Sequence, residues 1–456
     1  MANTMEGRLS LDQTGLKLAE NLRAFAKKQR LFFNDAKAHR FETEIDEIDL
    51  LAWLKDQDNP IKIFWEDRTK SFAVAGIGAS HTIIADKDEA YGHVIARLEK
   101  FLNPEFPDLN YWGGFSFDPT FAPQGEWKNS GNGRFVIPLI EIRRTGDKTI
   151  LACNILINKD TRHVIEQACQ HLMRLNNPLP SDHDLLPKPQ KIVNVPDAAL
   201  WKAGAAHIIN AIQDHQYDKV VLARSVYLHF TGPLNPCSVM RHLRETTSNC
   251  FCFIFQFRAG ETFLGASPER LYQRHGEHIA TEAVAGTRPP MEKNDLLNST
   301  KDLKEQNYVV EMIKESLKPL CTDFHTDENP SLLNWSGGHH LITRFEGRLK
   351  KGIGDKELIA ELHPTPAVAG TPAKSALKAI RNLETFGRGW YCGPVGYIGS
   401  QASEFAVAIR SGLIHDYGLN IYAGAGIIAE SSPETEWIET ENKLQGFLKI
   451  FNTHAD

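Results

Sequence analysis

The sequence predicts a mixed α/β (α+β) fold whose strands are mainly antiparallel, and three observations carry that expectation. Apolar, β-rich runs come in neighbouring pairs with short polar turns between them: "IKIFWED" and "SFAVAGIG" about "RTK", then "RFVIPLIEIRR" and "KTILACNILIN" about "TGDK". Helical patterns fall between groups of strands, without the regular βαβ alternation of a doubly wound sheet. At 456 residues the chain can bury a large core, as one big domain or a few ordinary ones. No tandem repeat or low-complexity tract interrupts it.

Taken in order, a first helix is expected from Leu11 to about Gln29, ahead of the first hairpin. A second follows the second hairpin, near residues 160–175. "NNPLPSDHDLLPKPQKIVNVPD" is dense in proline and polar residues and marks a surface linker. It separates an N-terminal part, residues 1–195, from residues 196–456. The two parts need not be independent domains, because both are rich in strands that could share sheets. Past the linker, "PDAALWKAGAAHIINAIQD" opens with proline at a helix start and places Trp201, Ala205, Ile208 and Ile212 on one face. Strands "KVVLARSVYL", "CFCFIFQF", "TFLGASPERLY" and "HHLITRFEGRL" follow, with helices from Ser299 to about Leu317 and from Thr371 to Thr385. Strands "VGYIGS", "EFAVAIRSGLI" and "LNIYAGAGII" lead into a closing helix that starts at "SSPETEWIETENK".

Composition excludes several classes. A net charge of −6 is mild and no basic run exceeds "RR", which argues against nucleic acid as a partner. "MANTMEGRLSLDQTG" lacks the basic and apolar regions of a signal peptide. No apolar stretch is long enough to span a bilayer, so no membrane association is expected. The seven cysteines are scattered, and "CFC" has the wrong spacing for a zinc knuckle. Buried free thiols in a reducing, cytoplasmic setting are the expectation.

Two helices could carry chemistry. In "STKDLKEQNYVVEMIKESL", Ser299 suits the N-cap, and Glu305 shares a face with Tyr308, Val309 and Met312. A carboxylate on a buried stripe is costly unless paired or bound to a cation; a glutamate at the stripe's edge, reaching water or a lysine, is the plainer reading. In the closing helix Ser432 or Ser431 caps, Pro433 suits the first position, and Trp437, Leu444, Leu448 and Phe451 form an apolar stripe. Glu436, Glu439 and Lys443 line the adjoining face, where dipole-favoured glutamates and a Glu439–Lys443 pair would suffice as explanation. Glu434 and Glu441 read as solvated charges. Together the two helices can present carboxylates to one hard cation such as Mg²⁺, which takes one or two protein carboxylates and completes its shell with water and substrate oxygens.

Four further features are informative. Lys219 leads into a buried strand, where it either marks the sheet edge or, desolvated, serves as a general base. Glu269 follows a strand in a Gly/Ser/Pro turn, a common place for catalytic groups. Arg410 in "FAVAIRSGL" lies in an otherwise apolar strand and needs an anionic partner. "YAGAG" offers close backbone approach to an anion or else forms a turn or bulge, and it matches no nucleotide-binding fingerprint. The residues alone thus suggest a Mg²⁺ site beside a cationic pocket for an anionic small molecule.

Taken together, "KVVLARS", "FLGASPERL", "TEAVAGTRP", "KDLKEQNYVV", "HPTPAVAGTP", "RGWYCGPVGYIG", "FAVAIRS" and "YAGAGIIAESSPETEWIETENK" resemble the chorismate-utilising enzymes, the isochorismate, anthranilate, aminodeoxychorismate and salicylate synthases. The resemblance covers nearly all of residues 196–456, making that part the chorismate-binding catalytic region. It implies one large domain of two packed sheets flanked by helices. It also implies chorismate as substrate, Lys219 as the base that activates water, and Glu269 as the acid that protonates the departing C4 hydroxyl while a nucleophile adds at C2. Glu305 and Glu439 are implied as Mg²⁺ ligands with Glu436 in or near the site. Arg410, Lys443, Gly424, Gly426, Gly286, Thr287, His363 and Ala367 are implied to surround the substrate. Lys219 resembles the water-using branch, whereas ammonia-using relatives tend to carry Gln, so no glutamine amidotransferase subunit is expected. Ala367 stands where pyruvate-eliminating relatives usually have Thr. Both features resemble isochorismate synthases, and "FWEDR…FAVAGIG" with "TEAVAGT" looks more like the menaquinone-pathway type than the siderophore type. Salicylate synthase and, more remotely, a non-catalytic chorismate-binding subunit are the alternatives. The departures, "KEQ" for the frequent "REH" and Trp390 for Phe, remove no proposed catalytic group.

Overall fold

Alternation along the strands decides how the layers stack. In "FCFIFQF", Phe251, Phe253 and Phe255 point into one apolar cluster, and Cys252 and Ile254 into another. That is the period of two expected of a strand buried on both faces. The first cluster joins these phenylalanines to Trp112, Phe135, Tyr272 and Phe405, which belong to a different sheet, so it is the filling between two sheets. The second joins the outer face of the larger sheet to helices, including Leu11 and Leu18, Val239 and Met240, and Leu444, Phe447 and Leu448.

The computed structural model describes residues 10–28, 36–121, 123–157, 161–178, 185–288, 296–335 and 338–452. Among these, the larger sheet has twelve strands and the smaller has ten, and every pairing is antiparallel. The larger sheet ends in the run Phe251–Arg258, Glu261–Ser267, Ser411–His415, Gly418–Ile427, Lys219–His229 and the short Gly370–Thr371. The smaller sheet has His278–Arg288 between Gly338–Leu349 and Arg270–His275. Strands from before and after residue 195 enter both sheets.

Local structure follows the expected signals with informative exceptions. The expected helix Leu11–Gln29 is Leu11–Lys28 among described residues, and that near 160–175 is Thr161–Leu172. The proline-rich stretch is not only a linker. Its last segment, Lys191–Val195, pairs with Ser225–His229, because "KIVNV" is β-branched enough to extend the sheet. Pro196 lies just outside its helix, which Asp197 caps by accepting from the Leu200 N–H at 2.9 Å. Trp201, Ala205, Ile208 and Ile212 are buried on one face as expected.

The helix Thr300–Leu320 carries Ser299 at its N-cap, accepting from the Asp302 N–H at 3.2 Å. Its buried stripe runs through Gln306, Val309, Ile313, Leu317 and Leu320, one residue round from the expected face. Gln306 caps that stripe in the smaller sheet by donating to the Ala283 carbonyl at 3.0 Å and the Thr343 hydroxyl at 3.1 Å. Glu305 is therefore left at the edge of the stripe. The closing helix, Pro433–Ile450, begins with Ser432 as cap and Pro433 in its first turn, and buries Leu444, Phe447 and Leu448. Glu434 is exposed, but Glu441 is not merely solvated. It ion-pairs with Arg224, a fully buried guanidinium that also donates to Thr440 at 2.8 Å and stacks over Trp437 at 3.9 Å. An arginine inside the strand Lys219–His229 needs such a partner, and it ties the closing helix to that strand.

Candidate active site

The strand Lys219–His229, the strand Gly418–Ile427 and the closing helix enclose one side of a cavity of about 690 Å³. Val284, Ala285, Gly286 and His340 of the smaller sheet, and Glu305 of the helix Thr300–Leu320, enclose the other. Ala367 and Val368, Tyr391 and Cys392, and Ile409 and Arg410 fill the gaps from connecting segments.

Lys219 starts its strand with no exposed surface, and its Nζ donates to Glu305 Oε1 at 2.8 Å. The pair meets over Gly426. A Cβ there would lie 2.5 Å from Glu305 Oε1 and 2.8 Å from Lys219 Cε, so a larger residue would push the ends of these two side chains out of their present place. "YAGAG" is thus neither a turn nor a bulge but regular strand, with Gly424 opposite Ala223 and Gly426 opposite Val221. Burial works to raise the Glu305 pKa, but the Lys219 ammonium and its hydrogen bond, with Lys443 and Lys301, outweigh it and hold the carboxylate ionised below the ordinary range.

Glu269 differs. It is buried at the crossing between sheets, and desolvation with repulsion from Glu282 pushes its carboxyl up to about 8 against the pull of Lys219 and Lys443. At neutral pH it holds a proton. Its backbone is pinned: its N–H donates to Ser267 Oγ at 3.2 Å, and its carbonyl accepts from Val407 N at 3.1 Å.

Lys443 Nζ donates to the Gly424 carbonyl at 2.8 Å and lies 2.6 Å from Glu439 Oε1, the expected pair one helical turn apart. Arg410 is not within a strand as expected. It lies between Ala402–Val407 and Ser411–His415 with φ of 51°, a left-handed conformation that costs a non-glycine residue about 1–2 kcal/mol. Burial lowers its pKa to about 10, yet it stays charged at neutral pH, and its Nη1 donates to the Lys443 carbonyl at 3.0 Å.

The cavity therefore brings together Lys219, Glu269, Glu305, Glu439, Lys443, Arg410, Gly286, Gly424, Gly426 and Ala367 around one space (Lys219 through its pair with Glu305). Gly286 makes a bulge with φ of 68° that shifts the register before Thr287, whose backbone lies opposite His340. Three expected residues, Thr287, His363 and Glu436, are not among those lining the cavity. His363 is buried against Phe117 and Tyr91, with Nε2 3.2 Å from the Phe117 carbonyl, so it packs a neighbouring core instead of facing the cavity. Glu436 is buried behind the wall, its Oε1 2.7 Å from Lys301 Nζ, with burial and the nearby Glu439 charge raising its pKa.

Two wall residues escaped sequence reasoning. His340 donates from Nδ1 to the Gly286 carbonyl at 3.2 Å, and burial with Arg410 and Lys443 drives its pKa to about 3, so it is a neutral hydrogen-bonding group. Its signal was only a pair of histidines opening a strand. Tyr391, stacked on Tyr422 with ring centroids 5.2 Å apart, was quoted in a motif without a role.

For a cation, Glu305 and Glu439 offer hard oxygen donors on a common cavity, suited to Mg²⁺ with two protein carboxylates. Among the described residues no group of three acidic, histidine or cysteine side chains is gathered closely enough to form an all-protein cage. That is the donor set of a cation that shares its shell with a ligand. A second cavity of about 570 Å³, lined by Phe117, Trp127, Arg381 and Phe386, has charged groups that pair with each other, Arg381 with Asp118 and Arg388 with Glu384.

Comparison with known proteins gives the family of the chain. Residues 24–452 match the model of the chorismate binding enzyme family. The chain is 32% identical to isochorismate synthase MenF of Bacillus subtilis over 417 residues, 85% of this chain and 87% of that protein. It is 33% identical to isochorismate synthase MenF of Escherichia coli, covering 89% and 91%. The solved structure of the menaquinone-specific isochorismate synthase from Escherichia coli superposes with a TM-score of 0.83 at 29% identity, over 96% of this chain and 100% of that one.

Proposed function

The chain belongs to the chorismate binding enzyme family, and from that premise we propose that it is an isochorismate synthase, an isomerase converting chorismate to isochorismate for menaquinone biosynthesis. One observation supports this most: a carboxyl that keeps its proton to about pH 8 lines the cavity, and a fully buried lysine reaches the same cavity through its pair with Glu305. The environment of Glu269 keeps it loaded as an acid at neutral pH, and Lys219 supplies the amine for a base, the two roles that general acid–base chemistry requires.

In its neutral amine form Lys219 takes a proton from water as the water oxygen bonds to C2 of chorismate. The ring double bonds shift, the C4–O bond breaks, and Glu269 gives its proton to the departing hydroxyl, which leaves as water. One water enters and one leaves, chorismate and isochorismate are isomers, and the cycle closes when the proton gained by Lys219 is released and Glu269 takes one up. Arg410 and Lys443 offer cationic groups to the carboxylates of the substrate, and His340 offers a neutral hydrogen-bonding wall. Glu305 and Glu439 would hold Mg²⁺, with the Glu436–Lys301 pair behind them keeping the closing helix in place. When bound, Mg²⁺ supplies positive charge for the ring carboxylate. Ala367 leaves the wall without a hydroxyl near the enolpyruvyl group, which the product retains.

Water as nucleophile requires no glutaminase subunit. No described helix is long and apolar enough to cross a membrane, and the seven cysteines are free and buried, as suits a cytoplasmic enzyme. Incubation with chorismate and Mg²⁺ tests the proposal. Isochorismate accumulating without pyruvate is expected; salicylate formed without a second enzyme, or an ammonium-dependent aromatic amine, contradicts it.

A further inference from the structure

The N-terminal part carries no catalytic motif, yet one of its side chains reaches the loop of the acid. Arg68 lies in the turn between the strands Lys62–Glu66 and Phe72–Ile77 of the larger sheet. Its Nη1 donates to the Pro268 carbonyl at 3.0 Å and to Glu282 Oε1 at 2.6 Å, and its Nη2 donates to Glu282 Oε2 at 2.8 Å. Glu282, in the strand His278–Arg288 of the smaller sheet, has a side chain only 3% exposed. It also accepts from the Arg270 N–H at 3.0 Å. The residues on either side of Glu269 are therefore both held, Pro268 by Arg68 and Arg270 by Glu282. The guanidiniums of Arg68 and Arg270 lie over the ring of Phe251 at 5.1 and 5.7 Å, so the clamp rests on the core between the sheets.

We infer that Arg68 and Glu282 are positioning residues for Glu269: Arg68 fixes the acid's loop through Pro268 and holds Glu282 in place as a buried like charge behind the acid. A bidentate arginine–carboxylate pair fixes both position and plane, which a single lysine contact cannot. The groups acting on Glu269 are few. Burial and Glu282 keep its proton on, Lys219 and Lys443 pull it off, and the Cys392 thiol, itself pushed up to about 12 by burial, adds no charge at neutral pH. Glu282 is thus the side chain whose charge keeps the acid loaded.

This inference rests on the acid role proposed for Glu269, and one experiment separates the two. Infrared difference titration of the whole enzyme, with Glu269→Gln as reference, isolates the protonated carboxyl band of Glu269. Absence of that band at neutral pH overturns the acid role itself. With the band present, Glu282→Gln is expected to lower its titration midpoint by about one pH unit; an unmoved midpoint overturns the inference. Arg68→Lys gives a second readout should Glu282→Gln not fold. It is expected to lower kcat about tenfold while KM for chorismate changes less than about twofold, since the acid and not the substrate is misplaced. Unchanged kcat, or KM rising in step with the loss, overturns the clamp.

Discussion

Lys219 Nζ and Glu305 Oε1 stand 2.8 Å apart, so the proposed base and a proposed metal ligand are each other's counter-ion, and Gly426 is the residue that leaves them room. Lysine and cation compete for one carboxylate. Lys219→Ala is therefore expected to do two opposite things. Turnover falls about 10²–10⁴-fold with loss of the base, while Mg²⁺ binds more tightly because Glu305 is released. Steady-state kinetics and calorimetric titration with Mg²⁺ read the two effects; near-normal turnover would refute the base role.

Glu439 faces the cavity while paired to Lys443. Glu439→Gln keeps its shape and hydrogen-bonding reach but removes the charge. The Mg²⁺ concentration giving half-maximal activity should rise at least about tenfold, or activity should vanish. An unchanged Mg²⁺ titration would remove Glu439 from the ligand set.

Glu269 gives a pH-dependent stability with a fixed sign. Its ordinary value is 4.5 and the folded state raises it to about 8. Below the lower value both folded and unfolded chains hold the proton. Between the two, only the folded chain does, so stability falls as pH rises, and above about 8 it levels off. Glu269→Gln escapes that loss. The metal-free variant should be inactive yet more stable than its parent at pH 8–9 by roughly 2–4 kcal/mol, the difference closing toward pH 4.5. Denaturant unfolding at several pH values measures it, and a difference independent of pH would contradict the raised carboxyl.

Ala367 lines the cavity as a small side chain. Ala367→Thr places a hydroxyl where pyruvate-eliminating relatives usually carry one. A minor fraction of product, about a tenth or less, should then leave as salicylate and pyruvate, detectable by salicylate fluorescence. A complete absence of pyruvate would show that this position does not set the outcome.

Local signals in the sequence carried much of the site. The caps Ser299 and Ser432 and the spacing of Glu439 and Lys443 are visible within a few residues, and the structure forms each of them. Long-range partners were not visible. Glu441 looked solvated because its buried partner, Arg224, lies 217 residues earlier in the chain. The proton on Glu269 depends on burial and then on Glu282, whose partner Arg68 is 214 positions away. Arg410 read as a strand residue because its neighbours are apolar, whereas the chain turns there with positive φ. His363 shows the converse: its motif pointed to the substrate, and only the structure shows its ring buried against Phe117 and Tyr91. Periodicity sees one element at a time, and this site is assembled from two sheets and two helices.

The central claim is that this cavity adds water to C2 of chorismate with Lys219 as base and expels the C4 hydroxyl with Glu269 as acid. Turnover in water enriched in heavy oxygen, with the product analysed by mass spectrometry, tests it most directly. Isochorismate carrying one heavy oxygen at C2 is the predicted result. Unlabelled isochorismate, or no isochorismate at all from chorismate and Mg²⁺, would contradict it.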